Sequence, residues 1–175
     1  MYPAPREYLF AARSGLSCPI TLSSEVRNMR IRSAVGAVIL AGDEVLLVHK
    51  VKASDALTGP MDLRGEWGFP MGGVLPDEDI HAALKREILE ETGIVDFSIM
   101  QELPVYEFSF SPEFVEKLGF DKQSTRMFLL RFEGNSNSLE PRCDEIESVQ
   151  FFSRDRLAQM IHHPDWYRYF VESCP

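Results

Sequence analysis

One amphipathic segment, "DIHAALKREILEETG" (79–93), constrains the fold of this chain more than any other stretch. Asp79 has the short carboxylate typical of a helix N-cap, and Gly93 is the residue type that ends helices in a left-handed turn. At 3.6 residues per turn, the apolar side chains between them form a single stripe that should face a core. That stripe comprises Ile80, Leu84 and Ile88. The segment therefore predicts a helix over about residues 80–92.

The last turns of this helix carry three glutamates that local physics disfavours. They are Glu87, Glu90 and Glu91. Negative charge near a helix C-terminus opposes the macrodipole, which favours cations there by about 0.3–1 kcal/mol each. Two of the three, Glu87 and Glu91, project within about 20° of Ile80 on the helical wheel. Those two carboxylates are therefore expected on the buried side of the helix.

A buried carboxylate must be paired, protonated or bound to a metal, because an unpaired charge loses several kcal/mol or more on leaving water. The basic residues nearest in sequence, Lys85 and Arg86, point away from the apolar stripe on the wheel. A divalent cation is then the expected partner, and oxygen-only ligands favour Mg²⁺ or Mn²⁺. The alternative is an ordinary acidic helix face in solvent.

The helix belongs to a longer spacing pattern. Gly72 is followed by five residues, Glu78, seven residues and then "REILEETGI" (86–94). This pattern (residues 72–94, hereafter the box) resembles the complete signature of the Nudix hydrolases, and every fixed position matches. The resemblance implies an α/β/α sandwich of the α/β (α+β) class, with a mixed central sheet and the helix packed on it. It also implies an enzyme that hydrolyses a pyrophosphate bond in a nucleoside diphosphate linked to another group.

The resemblance assigns roles by position. It makes the carbonyl of Gly72 and the side chains of Glu87, Glu90 and Glu91 metal ligands, and one of these glutamates or an outside acid the general base. The best outside candidate for a ligand or base is Glu145, just before the last predicted strand, with Glu147 as its competitor and a solvated acid as its alternative. We expect Glu78 and Arg86 to orient the loop and helix through an ion pair, and Gly93 to be structural.

Three stretches look most like the branch of RNA pyrophosphohydrolases and diadenosine polyphosphate hydrolases. They are "EWGFPMGGVLPDE", "TRMFLL" and "RSAVGAVIL". In that branch a basic residue before the first strand and another at the end of the second hold phosphates. Arg32 and Lys50 occupy those places, although both could be solvated strand ends. The chain departs from the branch in its N-terminal extension, in a loop over about 53–65 and in an insertion over 112–123.

The apolar pattern predicts the order of the remaining elements. We expect a hairpin of buried strands, then a strand leading into the glycines, three later strands and two C-terminal helices. Their ranges are 34–40 and 44–50, then 66–73, then 95–110, 124–132 and 145–153, and finally 154–161 and 164–173. The insertion is expected to hold a short helix, "PEFVEKLG". The aromatic residues of the first later strand, Tyr106, Phe108 and Phe110, share one face and either stack a base or belong to the core. The predicted organisation is an N-terminal extension (1–31) packed on a Nudix domain (32–175).

The composition of the chain limits the kinds of molecule that it is expected to bind. A net charge of −9 and a pI near 4.9 disfavour a broad basic nucleic-acid surface. Three widely spaced cysteines without a C-x-x-C pair favour a reduced cytoplasmic setting, and no apolar run approaches the roughly 20 residues of a membrane helix. We expect a nucleotide-type substrate, with an RNA 5′ end and homodimer formation as candidates. The alternative is a catalytically silent Nudix-type nucleotide sensor or interaction module.

Overall fold

The computed structural model describes residues 29–55, 59–135, 139–161 and 163–174. Its strands are β1 (Ile31–Ala41), β2 (Glu44–Asp55), β3 (Gly59–Gly68), β4 (Met71–Gly73), β5 (Phe97–Ser109), β6 (Lys122–Phe132) and β7 (Ile146–Ser153). Its helices are α1 (Ile80–Thr92), α2 (Pro112–Leu118), α3 (Leu157–Met160), which follows a 3-10 turn (Arg154–Arg156), and α4 (Pro164–Ser173). The predicted packing of the N-terminal extension lies outside the described residues, except for residues 29–31. None of the helices in the described ranges is long and apolar enough to cross a membrane.

The strands form one mixed sheet. Its main order is β3-β2-β1-β6-β5, with β4 paired to β1 and β7 paired to β2. The β1 and β6 strands run parallel, with Arg32 opposite Gln123, and the other pairs are antiparallel. The short β4 places Gly72 opposite Val35, directly beside the first strand of the sheet. The last glycines before the box helix are therefore held by backbone hydrogen bonds within the sheet.

Helices cover both faces of this sheet. On one face, Leu84 and Ile88 of α1 are fully buried against apolar residues of β1, β2 and β6. On the other face, α4 packs its aromatic residues against the end of β3, and a Cβ atom on Gly68 would lie 1.6 Å from a ring carbon of Trp166. Two apolar layers thus enclose the sheet. The predicted α/β/α sandwich with a mixed sheet is confirmed.

The predicted loop over 53–65 is wrong for residues 53–55 and 59–65, and residues 56–58 lie outside the described ranges. The second strand continues to Asp55, and β3 begins at Gly59 and pairs with it from Asp55 opposite Gly59 to Val48 opposite Gly68. Because β3 is at the edge of the sheet, a proline and a polar composition are tolerated there without the apolar alternation of a central strand. The predicted strand over 66–73 is divided, since Pro70 cannot donate to a ladder and the chain changes its pairing partner from β2 to β1.

Candidate active site

Helix α1 begins and ends at the residues that the sequence predicted. The Asp79 side chain accepts hydrogen bonds from the backbone N–H groups of His81 at 2.9 Å and Ala82 at 3.1 Å. Gly93 has φ +76°, and its N–H donates to the carbonyl of Leu89. A Cβ atom on Gly93 would lie 2.5 Å from the carbonyl oxygen of Glu140, so glycine is needed there for conformation and for space.

The segment after β6 crosses the C-terminal end of α1 and satisfies carbonyls that the helix leaves without donors. The N–H of Glu140 donates to the carbonyl of Thr92 at 3.2 Å, and the N–H of Arg142 donates to that of Glu90 at 2.7 Å. The chain then reaches Glu145, whose carbonyl accepts from the N–H of Val51 at 2.8 Å. Helix capping and delivery of Glu145 to the site are therefore performed by one segment.

Arg86 is the centre of an ion-pair network at the start of the box. Its Nε and Nη2 donate to the two carboxylate oxygens of Glu78, both at 2.8 Å, and Nη2 also donates to the carbonyl of Gly73. The expected ion pair is thus present. Hydrogen bonding to Arg86 lowers the pKa of Glu78 to about 2. The same guanidinium donates through Nη1 to Glu87 at 2.6 Å and to Glu90 at 3.3 Å.

Glu91 is buried and bound on both oxygens. Lys50 from β2 donates to Oε1 at 2.5 Å, and the N–H of Met71 donates to Oε2 at 2.8 Å. The Lys50 ammonium also donates to the carbonyl of Met71 at 3.0 Å. Burial raises the pKa of Glu91 to about 7 despite the lowering effect of Lys50. Burial opposes the charged form of Lys50 in turn, but Glu91 outweighs that effect and raises the Lys50 pKa.

The expectation that Arg86 points away from these acids is wrong, because Arg86 pairs with Glu87 and Glu90. A helical wheel gives the direction in which a side chain leaves the helix, and the long Arg86 side chain turns back to reach Glu87 and Glu90. The wheel also contains no information about β2, from which Lys50 reaches Glu91. Two basic side chains therefore balance part of the acidic charge.

Glu87 lies directly over β4. A Cβ atom on Gly72 would fall 1.9 Å from Oε2 of Glu87, so only glycine leaves space for this carboxylate. Burial raises the pKa of Glu87, while Arg86 lowers it. The close approach brings the Glu87 carboxylate beside the backbone of Gly72, as would be required if both groups bound the same metal ion.

One cavity of about 810 Å³ collects the predicted site residues. Its lining contains every residue predicted to bind the metal, to contact phosphate or to orient the loop and helix. These residues are Arg32, Lys50, Gly72, Glu78, Arg86, Glu87, Glu90, Glu91 and Glu145. Gly93, which was predicted to be structural, does not line the cavity. The competitor Glu147 is not among the lining residues, and its Oε2 lies 2.8 Å from His49 Nδ1. The tertiary structure therefore favours Glu145 over Glu147.

Arg32 is supported by two buried polar residues that the sequence analysis missed. Its Nη1 donates to Oε1 of Gln123 at 2.7 Å, and Nε2 of Gln123 donates to Oγ1 of Thr125 at 3.1 Å. Both supporting side chains are buried, and the core residues Met127 and Leu129 follow on the same face of β6. No local sequence signal marked the two residues, because both lie in the polar run "KQSTR" (122–126) at the start of this strand.

The aromatic residues of β5 do not line this cavity. Tyr106 is buried and makes edge-to-face contacts with Trp166 and Tyr169, and Phe108 packs against the same core. Phe110 lines a separate, more open cavity of about 490 Å³ beside α2, which contains the exposed Arg30–Asp121 pair. Of the two interpretations of this trio, core packing applies to Tyr106 and Phe108.

The acids supply donors of the right chemistry for a hard divalent cation, but they do not converge on one point. In the described part of the chain, no three acidic, histidine or cysteine side chains lie close enough together to hold a metal ion. A carboxylate has about four acceptor sites, and Glu91 uses one on Lys50 and one on Met71. The Glu90 side chain is 46% exposed, and its contact with Arg86 is 3.3 Å long. The set fits a hard cation once the exposed carboxylate turns toward Glu91.

Comparison with known proteins identifies the family. The NUDIX domain model matches residues 30–174. An RNA pyrophosphohydrolase of Acidiphilium cryptum is 33% identical over 146 residues, which cover 78% of this chain and 86% of that protein. An RNA pyrophosphohydrolase of Campylobacter jejuni is 31% identical over 105 residues, covering 58% of this chain and 67% of that protein.

The fold also matches solved structures. The crystal structure of a MutT NUDIX hydrolase from Burkholderia pseudomallei superimposes with a TM-score of 0.60 at 24% identity, covering 83% of this chain and 99% of the other. At this identity the likeness concerns the fold alone. The family match over residues 30–174, the relatives above 30% identity and the complete box spacing agree, and this chain therefore belongs to the Nudix family.

Proposed function

We propose that this Nudix protein is a metal-dependent hydrolase that cleaves a pyrophosphate bond in a nucleoside diphosphate linked to another group. The family match and the relatives named RNA pyrophosphohydrolase make the chain a pyrophosphohydrolase. Dependence on Mg²⁺ or Mn²⁺, the nature of the linked group and the roles of single residues are our additions. We also propose a cytoplasmic location, in agreement with the free cysteines Cys143 and Cys174.

One observation carries the proposal. A single cavity is lined by the acids of the box, by Glu145 and by the basic residues Arg32 and Lys50, which come from four different parts of the chain. Acids alone would repel a polyphosphate, and bases alone would bind it without activating water. Their meeting in one cavity supports binding and hydrolysis at the same place.

Each side chain has a role that follows from its contacts. Glu87, Glu90, Glu91 and the Gly72 carbonyl would hold the cation, which when bound neutralises phosphate charge and lowers the pKa of water. Arg32, fixed by Gln123, would hold a phosphate oxygen. Lys50 has three N–H donors and uses two on Glu91 and Met71, which leaves one for a phosphate. Glu145, or one of the box glutamates, would accept the proton of the attacking water.

The substrate is best sought among nucleotide-type compounds. Suitable compounds are nucleoside triphosphates, dinucleoside polyphosphates, nucleotide sugars and RNA with a 5′ triphosphate. The RNA end is included because of the relatives named above, although the net charge of −9 would weaken binding to the rest of an RNA chain.

The test is a substrate panel assayed with Mg²⁺ and with Mn²⁺ for release of phosphate and pyrophosphate. We expect at least one compound to be hydrolysed, and Glu90→Gln and Glu91→Gln each to reduce turnover by orders of magnitude with the fold intact. Glu102→Gln is a matched control, because Glu102 is exposed and paired with Arg126 on β6. Near-normal turnover in either box variant would remove that residue from the metal site.

A catalytically silent nucleotide sensor is the second candidate. It is favoured by the pairing of the box acids with Arg86 and Lys50 and by the lack of a converged ligand cluster among the described residues. The same panel distinguishes the two functions. Tight nucleotide binding without turnover under any metal condition would favour the sensor over the hydrolase.

A further inference from the structure

The cavity has a second, apolar side that the proposed reaction does not use. Its members are Ile31, Val74, Leu75 and Phe120, which we call the apolar wall. Ile31 is 51% exposed and Leu75 is 50% exposed, although both line the same cavity as the charged residues. A cavity with exposed and part-buried apolar side chains beside charged ones, here called the charged floor (Arg32, Lys50 and the box glutamates), is typical of a site for a ligand with one apolar and one charged end.

Phe120 is contributed by the insertion that distinguishes this chain from the branch it resembles. It follows α2, which ends at Gly119 with φ +76° and an N–H that donates to the carbonyl of Val115. The next residue is held on two sides: the N–H of Asp121 donates to the carbonyl of Arg30 at 2.8 Å, and its carbonyl accepts from the N–H of Phe110 at 3.0 Å. The turn that carries Phe120 is therefore tied to both the start of β1 and the end of β5.

The position of Arg32 connects the two ends of the cavity. It is the neighbour of Ile31 in the wall, and its guanidinium lies beside β4, where a Cβ atom on Gly73 would approach Nη2 to 2.8 Å. A phosphate held by Arg32 would therefore lie in the cavity that both the apolar wall and the box acids line. A cavity of about 810 Å³ is within the size range of small-molecule sites.

We propose that Phe120 and the apolar wall bind the aromatic base of the nucleotide, with Phe120 as the stacking residue that makes the enzyme prefer nucleotides over base-free phosphates. This inference rests on the proposed function for the phosphate end. A planar base is the occupant that fits, because its π face stacks on an aromatic ring while its attached phosphates reach Arg32 and the floor. The apolar wall and the charged floor line the same cavity, so one molecule with a base and phosphates can reach both.

The test compares AMP with ribose 5-phosphate, which has the same phosphate and sugar but no base. Calorimetry with the full chain is expected to show AMP binding at least tenfold more tightly. Phe120→Leu keeps an apolar side chain but removes the ring, and we expect it to weaken AMP binding about tenfold and ribose 5-phosphate binding less than twofold. Phe120→Trp should retain the preference for AMP.

Phe132→Leu is the matched control, because it is the same substitution at the opposite end of β6, where Phe132 packs on Phe151. This substitution should leave the affinities for AMP and for ribose 5-phosphate unchanged. Equal binding of the two ligands by the unmodified chain, or an unchanged preference in Phe120→Leu, would overturn the inference.

The outcome is independent of the hydrolase assignment. Turnover of nucleotides with the same KM in Phe120→Leu would defeat the base site while the proposed function stood. Loss of AMP preference in Phe120→Leu, in a protein that hydrolyses nothing in the panel, would leave the base site in place and remove the hydrolase.

Discussion

At the scale of single residues, the cavity is organised by pairs of opposite charge. Glu91 meets Lys50, and Glu87 meets Arg86, in surroundings that raise the pKa of both carboxylates. Removing one member of a buried pair leaves the other without compensation, at a cost of about 3–5 kcal/mol when burial is complete. These pairs therefore connect the stability of the site with its charge state.

Lys50→Met is expected to destabilise the protein more at pH 8 than at pH 5. The pKa of Glu91 is already raised to about 7, and loss of the ammonium raises it further. A carboxyl group with a folded pKa above its unfolded pKa favours the folded state only while protonated, so that contribution is lost as the pH rises. Chemical denaturation in the presence of a chelator measures the difference.

Lys85→Met is the control for Lys50→Met, because Lys85 lies on the exposed side of α1. It should have little effect at either pH. A destabilisation by Lys50→Met that does not change between pH 5 and pH 8 would argue against a charged Lys50–Glu91 pair.

Arg32→Ala is expected to raise KM roughly ten- to hundredfold with a smaller effect on kcat, since a hydrogen bond to a charged group contributes about 1.5–3 kcal/mol. Gln123→Ala should raise KM by a smaller factor, because Gln123 fixes the Arg32 guanidinium through a hydrogen bond. Steady-state kinetics on the best substrate of the panel measures both. An unchanged KM in Arg32→Ala would remove this residue from the phosphate site.

At the scale of elements, the position of α1 over β4 decides which backbone positions must be glycine. Gly72 has no side chain because Glu87 occupies that space, and Gly93 has none because of its left-handed conformation and the carbonyl of Glu140. The spacing of the box thus reflects two requirements, which are the close contact of α1 with β4 and the positions of the acids.

Gly72→Ala is expected to reduce kcat/KM more than tenfold with little loss of stability. The new Cβ would displace the carboxylate of Glu87, which is the end of a flexible side chain and can move without disturbing the core. Gly42→Ala should lower the stability and leave kcat/KM unchanged. Gly42 has φ +61° and open space around it, so alanine there adds only backbone strain of about 1 kcal/mol. Kinetics and denaturation of the two variants separate these effects.

At the scale of the whole molecule, the site is assembled from β1, β2, β4, α1 and the segment before β7. That last segment reaches the cavity because the N–H of Arg142 caps α1 and the N–H of Val51 fixes Glu145. Pairing between β2 and β7 shifts register between His49 and Lys50, opposite residues 146–148, and such irregularities redirect side chains. Glu145 lines the cavity, whereas Glu147 pairs with His49 and is not among the lining residues.

Glu145→Gln is expected to lower kcat at least tenfold, whereas Glu147→Gln should stay within twofold of the unmodified enzyme. The two substitutions are chemically identical and two residues apart, which makes each the control of the other. Equal rates for the two variants would remove Glu145 from the catalytic groups.

By itself, the sequence determined what depends on neighbouring residues. The bounds of α1, its Asp79 cap and its Gly93 terminus follow from spacing within one segment, because helix geometry relates residues a few positions apart. The Nudix family and the sandwich fold were predicted from the resemblance of residues 72–94 to the Nudix signature. The edge strand β3, which begins at Gly59, escaped prediction, since edge strands lack the apolar pattern of buried ones.

Only the tertiary structure decided which distant groups meet. Lys50 and Glu91 are 41 residues apart and Arg32 and Gln123 are 91 apart, and no local pattern encodes either pair. The presence of Glu145, rather than Glu147, in the cavity lining and the approach of Phe120 to the cavity depend likewise on strand pairing and on backbone hydrogen bonds between separate elements. The physical reason is that burial and charge compensation are properties of the space between elements, and that space exists only after they have packed.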